Sequence, residues 1–378
     1  MPVYIEKDFK TVINKRNNID SWFWEKYGIT PYNGCEHNCI YCDSRSQKYY
    51  LHENFGKEII VKKNLPEMLD VYIRNSRNLN RDIVGICASS DPYQPAEAIY
   101  MNTRNILSIL NKYKFPVHIL TKSKLILRDT DILGEIAKNN WCTIGVTITS
   151  ADKKISGFLE PKASTPATRF DIIKKLKSRN ISAGVLYMPV VPSFCDKTSE
   201  MEDLIKKAKD SGADFILFGA GVTLRDKQAV YFLNKVNEHF PEHIKDYEKL
   251  YEFKYKSDSY NGKYTPKSEY AQQIGKIIAE LCEKHGLNIR MKRYIPDDYR
   301  KNNYILSEKM FNHCYYISLS GKQNSNLLFS AQKIQNLSRP VNDYISTGRL
   351  KDISDMTPET EKFILNHITD ERTHPTLF

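Results

Sequence analysis

No stretch of this 378-residue chain is long and apolar enough to span a bilayer, and its opening residues, Met1-Pro2-Val3-Tyr4-Ile5-Glu6-Lys7-Asp8, lack an apolar run of signal-peptide length. Membrane insertion is therefore not expected, and the expected location is the cytoplasm. There, glutathione and thioredoxin keep thiols reduced, so the eight cysteines are not expected to form a disulfide set. Metal binding, reactivity or core filling remain for them. Acidic residues are also in deficit: 45 Asp and Glu face 56 Lys and Arg, a formal charge of +11. Such an excess suits a polyanionic partner, because each cation placed on a phosphate releases a counterion. The general richness in Lys, Asn, Ile and Tyr is equally what an AT-rich genome would produce.

What the chain does have is repetition. Short apolar, β-branched runs occur near residues 83–88, 117–121, 143–149, 182–188 and 214–218, and a first one spans 29–32. Between them, residues 103–114, 166–179 and 197–211 carry apolar side chains at helical spacing. The middle helix has clear punctuation: Thr165 as N-cap, Pro166 at the first helical position, apolar Phe170, Ile172, Ile173 and Leu176, then basic Lys177 and Arg179. Repeated βα units force a parallel sheet whose ligands gather at the C-terminal ends of the strands.

After residue 240 basic and aromatic residues interleave: Lys245, Tyr247, Lys249, Tyr251, Lys254, Tyr255, Lys256, Tyr260, Lys263 and Tyr264. That composition can track a phosphate backbone while stacking bases, and it also fits a solvated linker. A helix over 268–285 and a strand-like 288–294 follow, then a helical C-terminal region.

Three of the cysteines share one short stretch, Tyr32-Asn33-Gly34-Cys35-Glu36-His37-Asn38-Cys39-Ile40-Tyr41-Cys42. Three thiols on a tight loop suit an iron–sulfur cluster held by three of its four irons, with one iron left free for chemistry. A structural zinc site needs a fourth ligand, and only His37 lies within the loop. A redox pair would use Cys39 and Cys42 but leave Cys35 without a role, and chance spacing is the remaining reading.

The C-x-x-x-C-x-aromatic-C pattern after the first strand of a βα repeat resembles the radical S-adenosylmethionine (radical SAM) superfamily. Further segments are similar to its spore photoproduct lyase branch: Ser90-Asp91-Pro92-Tyr93-Gln94-Pro95-Ala96-Glu97, Leu120-Thr121-Lys122-Ser123, Leu159-Glu160-Pro161 with Thr168-Arg169, and Met188-Pro189-Val190-Val191-Pro192. Together they cover residues 20–235 in order, at strand ends. The resemblance implies a [4Fe–4S] cluster on Cys35, Cys39 and Cys42, with S-adenosylmethionine (SAM) on the free iron through its amino and carboxylate groups. It also implies that Tyr41 packs beside adenine or cluster, that Ser90, Asp91, Lys122 and Thr147 contribute SAM contacts, and that Lys122 meets the carboxylate. Glu160 and Arg169 would pair with each other or reach the amino acid end of SAM.

The resemblance breaks at two places. In the lyase branch a cysteine three residues before the Asp of Ser-Asp-Pro returns hydrogen to the product; here that position is Ala88. Adjacent Cys87 points to the other face if Ser90 points inward, because strand side chains alternate. Cys195, in the loop after the fifth strand, is the candidate hydrogen donor in its place, whereas Cys142, Cys282 and Cys314 read as core filler. The second break lies near the C-terminus. The succession through Val341-Asn342-Asp343-Tyr344-Ile345 and Thr357-Pro358-Glu359 resembles a helix-hairpin-helix domain, whose Gly-hydrophobic-Gly turn holds a DNA phosphate. Here the turn reads Asp355-Met356-Thr357, which removes both glycines and adds a repelling charge.

The expected fold is α/β, a partial (β/α)6 TIM-like barrel of the radical SAM type with a small C-terminal helical domain. Its expected divisions are an extension at 1–20, a core at 21–240, the Lys/Tyr-rich segment with flanking helix and strand at 241–300, and the helical region at 301–378. The expected function is radical SAM chemistry on nucleic acid, DNA before RNA, as a lesion-repair lyase. Flavodoxin or ferredoxin is the expected electron donor, and a monomer the expected state. A radical SAM enzyme acting on a protein, peptide or small molecule is one alternative. A non-catalytic iron–sulfur protein that binds nucleic acid is the other.

Overall fold

A computed structural model describes residues 2–49, 54–86, 89–353 and 356–368. Its strands are β1 (Val3–Lys7), β2 (Asn14–Lys15), β3 (Tyr27–Ile29), β4 (Tyr32–Asn33), β5 (Glu58–Lys62), β6 (Val84–Ile86), β7 (Val117–Thr121), β8 (Cys142–Thr147), β9 (Ser182–Val190) and β10 (Ile216–Ala220). The main sheet runs β10-β9-β8-β7-β6-β3-β2. From β3 to β10 every neighbouring pair is parallel; only the short edge strand β2 is antiparallel. A smaller sheet, β1-β5-β4, stands apart from it.

Six parallel strands, each followed by at least one helix, make the partial (β/α)6 barrel anticipated from the repeats. The helices include Leu65–Asn75, Asn102–Lys112, Thr130–Asn139, Pro166–Lys177, Thr198–Asp210 and Asp226–His239. Covered by helices, the strands read as continuous apolar runs: every residue of β8 is buried. The Pro166 helix starts as its sequence implies, with Thr165 Oγ1 accepting from Thr168 N at 3.4 Å.

Two sequence expectations need correction. The first strand, expected over 29–32, is two strands in different sheets, because Pro31 has no N–H to extend the parallel ladder beyond Ile29. The expected strand over 288–294 reduces to one bridge, Phe215 with Asn288. The helix before it does form, over Ser268–Lys284, and contacts β10 and the Thr198–Asp210 helix.

The chain divides into two compact units, one of Met1–Lys15 with Tyr27–Met291 and one of Arg16–Lys26 with Lys292–Phe378. The second unit is helical, with Lys301–Leu319, Ser325–Gln335, Val341–Ser346 and Pro358–His367. Its centre is Arg293, buried with its guanidinium 3.7 Å from the Tyr304 ring centre and 5.1 Å from that of Trp24. Arg293 also donates to Ser307 Oγ at 2.8 Å and Gln335 Oε1 at 3.0 Å, so the buried charge is fully engaged. In the hairpin-like turn, Asp355 lies outside the described residues, as do Cys87 and Ala88. Thr357 Oγ1 accepts from Thr360 N at 3.2 Å, so the helix after the turn is capped by its own threonine. Among the described residues, no helix is long and apolar enough to cross a membrane.

Candidate active site

The cysteine loop is a run of tight turns. Asn38 N donates to Cys35 O at 3.3 Å, Cys42 N to Cys39 O at 3.4 Å and Arg45 N to Cys42 O at 3.1 Å. Each cysteine thus opens a turn whose third following residue closes it, and turning at that pitch brings positions 35, 39 and 42 to one side. All three line one cavity. Gly34 enters the loop at φ +82°, where a Cβ would lie 2.7 Å from Glu58 O, so only glycine fits.

Side chains from distant segments hold the loop at both ends. Gln94, fully buried, accepts from Glu36 N at 2.9 Å and donates to Gly34 O at 3.1 Å, bracketing Cys35. Glu36 in turn accepts from Ala96 N at 2.7 Å. Buried Glu97 accepts from the Tyr32 hydroxyl at 2.5 Å, Thr103 N at 2.8 Å and Arg128 Nη2 at 2.7 Å. Beyond Cys42, Arg45 donates through Nε to Cys39 O at 3.0 Å, its guanidinium 4.6 Å from the Phe55 ring centre and 4.0 Å from that of Tyr231. Arg225 pairs with Asp43, and Gln228 Nε2 donates to Tyr41 O at 3.1 Å.

The other walls of the cavity are strand ends. Ser90 and Asp91 follow β6, Lys122 follows β7 and Thr147 ends β8; with Tyr41 all of them line the same space as the thiols. Ser90 Oγ donates to Tyr32 O at 2.6 Å and keeps its own oxygen as an acceptor. Asp91 accepts from Tyr93 N and Thr121 Oγ1 at 2.8 Å and from Lys122 N at 2.7 Å. His37 Nε2 lies 3.1 Å from Asp91 Oδ2, within ion-pair range although not aligned for a hydrogen bond. Burial alone would push the Asp91 carboxyl up, but His37 and the N–H donors outweigh it and hold it below the usual range. Asp91 is therefore a staple between loop and sheet.

Lys122 Nζ lies 4.0 Å from Glu160 Oε1 and 5.8 Å from the Tyr41 ring centre. Burial works to lower its pKa, yet the Cys39 sulfur when ionised and the Glu160 carboxylate outweigh it and raise it. Glu160 and Arg169, both buried, pair with each other at 2.5 Å, and Glu160 also receives the Tyr41 hydroxyl. Arg169 spends its other donors on Ser164 O at 2.6 Å and Thr147 O at 2.9 Å. Neither Glu160 nor Arg169 is among the residues lining the cavity; they stand behind its wall and fix Tyr41, Lys122 and Thr147.

Cys195 is not brought to this cavity. It is 1% exposed, burial pushes its thiol up, and its carbonyl receives the Tyr187 hydroxyl. The rim position expected for it is filled by core packing, Phe194 meeting Phe158 and Phe240 at ring separations of 5.5 and 5.0 Å. The Lys/Tyr stretch is corrected in the same way: Tyr247 and Tyr251 are fully buried on the helix Ile244–Tyr251, their hydroxyls donating to Pro192 O and Val222 O. Over that helix the interleaving is the two faces of an amphipathic helix, while Lys254, Tyr255, Lys256, Tyr260, Lys263 and Tyr264 lie beyond it. Sequence reading missed Gln94, Glu97 and Arg45. Their only signal is proximity to motif residues, with Gln94 and Glu97 inside the Ser90–Glu97 run and Arg45 three residues past Cys42.

Three free thiols facing one cavity are the donor set an iron–sulfur cluster takes. Among the described residues, no group of three or more His, Cys, Asp or Glu side chains converges on a single metal ion. Burial raises the Cys35 and Cys39 thiols, Cys39 to about 12, so metal must displace their protons.

Residues 29–206 match the Radical SAM superfamily. An uncharacterized protein of Mycobacterium tuberculosis is 27% identical over 282 residues, covering 74% of this chain and 79% of that protein. One of Methanocaldococcus jannaschii is 31% identical over 175 residues, 45% of this chain and 62% of that protein. Among solved structures, spore photoproduct lyase complexed with dinucleoside spore photoproduct superposes with a TM-score of 0.55 at 14% identity, covering 75% of this chain and 79% of that one. A mutant of the same lyase with bound AdoMet and the dinucleoside gives 0.54 at 16% identity, with the same coverage. Cysteine loop, strand-end cavity, domain match and shared fold agree: this chain carries a radical SAM domain over residues 29–206, on the fold that spore photoproduct lyase also has.

Proposed function

We propose that this radical SAM enzyme carries a [4Fe–4S] cluster on Cys35, Cys39 and Cys42, binds SAM beside it, and acts on nucleic acid, DNA before RNA, as a lesion-repair lyase. The observation that carries the cofactor half is the convergence of three free thiols with Ser90, Lys122 and Thr147 on one cavity. When bound, cluster and SAM supply one-electron cleavage of a sulfonium and a 5′-deoxyadenosyl radical that takes hydrogen from an unactivated carbon. Lys122, kept charged by Glu160, offers its N–H donors to the SAM carboxylate. Ser90 offers an acceptor to the amino group, and Tyr41, tethered through its hydroxyl, presents a fixed ring to the adenine side. The enzyme works as a cytoplasmic monomer served by flavodoxin or ferredoxin.

The nucleic-acid half rests on the charge of +11 and on the fold shared with a lyase solved with a dinucleoside photoproduct. One observation favours a second reading, a radical SAM enzyme that modifies a protein, peptide or small molecule. Among the described residues lining the cavity, the only thiols are the three of the loop, and the position of the lyase's returning cysteine is Ala88 in the sequence. Anaerobic reconstitution should give about four iron and four sulfide per chain. Adding dithionite and SAM should then release 5′-deoxyadenosine; a loaded cluster that releases none overturns the enzymatic reading. Loss of spore photoproduct from duplex DNA in the same mixture supports the repair reading. Intact lesions with salt-insensitive DNA binding overturn it in favour of the second.

A further inference from the structure

Beside the cysteine loop lies a second depression, lined in part by His37, Tyr93, Lys124, Arg128 and Lys162. Among the described residues, His37 is the one that lines both this depression and the thiol cavity. The buried His37 thus forms part of the wall of both spaces. The wall is tied in place: Lys162 N donates to His37 O at 3.3 Å, and His37 Nδ1 lies 3.3 Å from Lys162 O.

No carboxylate lines this depression. Arg128 is neutralised by Glu97 and Asp129, at 2.7 Å each. Lys124 and Lys162 are exposed, and neither has a carboxylate partner among the described residues. Two free ammonium groups thus flank a concave surface that shares His37 with the thiol cavity. SAM cleavage consumes one electron, which has to be delivered from outside.

Resting on the cluster reading above, we infer that this depression is the docking face for an acidic one-electron donor protein, with Lys124 and Lys162 pairing with its carboxylates. In that step one electron leaves the donor's reduced flavin or iron–sulfur centre and reduces the cluster; no bond or proton changes hands. Nucleic acid fits this face less well, since a strand engages a track of cations at phosphate spacing, whereas here two cations frame a single hollow.

The test is the double variant Lys124→Glu with Lys162→Glu in the reconstituted full chain, probed with reduced flavodoxin and with reduced ferredoxin. Binding is measured by calorimetry, and cluster reduction by stopped-flow bleaching across a salt series. The expected result is binding and reduction by at least one donor weakened tenfold or more in the variant, with the unaltered protein losing affinity as salt rises. Dithionite, a small reductant that needs no docking face, should drive 5′-deoxyadenosine release within twofold of the unaltered protein. Unchanged donor binding in the variant, or no binding of either donor by the unaltered protein, overturns the inference. So does a variant that loses DNA affinity while keeping donor affinity. If dithionite yields no 5′-deoxyadenosine from the unaltered, loaded protein, it is the enzymatic reading that fails; the binding measurement still decides the docking face.

Discussion

The two flanks of the cysteine loop are held by opposite means. Ahead of Cys39 the contacts are buried and short-ranged, from Gln94 to the backbone on either side of Cys35 and from Asp91 to the strand ends beside His37. After Cys42 they include a charge pair nearer to solvent, Arg225 with Asp43, at 20% and 28% side-chain exposure. A buried polar bracket has no water to fall back on, so its loss leaves unsatisfied groups; a partly exposed ion pair is screened and replaceable. The first flank should set whether the loop forms, and the second should only trim it.

Asp91→Asn tests that difference most severely. It removes a buried carboxylate whose partners are all donors and strands His37, so the expected loss is about 3 kcal/mol of stability, read from denaturant midpoints. The pH profile follows from the sign of the shift. The folded Asp91 pKa is depressed, so its contribution is complete above the unfolded value of about 3.9 and is lost as pH falls through the lower folded value. The unaltered protein should therefore shed this stability only in strong acid, and Asp91→Asn should flatten that limb of the curve.

Gln94→Ala comes next. It orphans Gly34 O and Glu36 N, at an expected cost of about 2 kcal/mol, and should lower iron content after reconstitution more than global stability explains. Retention of full iron loading would break the contrast between the flanks. Asp43→Asn is the mildest, expected to cost less than about 1 kcal/mol and to vanish by 1 M salt. A cost as large as that of Gln94→Ala would show that both flanks matter equally.

How far the sequence discloses this site depends on how local each interaction is. The Thr165 cap, the strand Val117–Thr121 and the turn-by-turn spacing of the cysteines involve near neighbours, and all are readable as written. Gln94 and Glu97 look like surface residues until partners some sixty positions away are placed on them. Cys195 and Tyr247 read as rim and surface because polarity alone does not report a fold's curvature; both are buried. Arg169 shows the same ambiguity from the other side, since only the fold decides between a ligand for a cofactor and a counter-ion for Glu160.

The three turns of the cysteine loop close through main-chain groups. Burial raises the Cys35 and Cys39 thiols, so each metal–sulfur bond formed there releases a proton, and cluster uptake should become easier as pH rises.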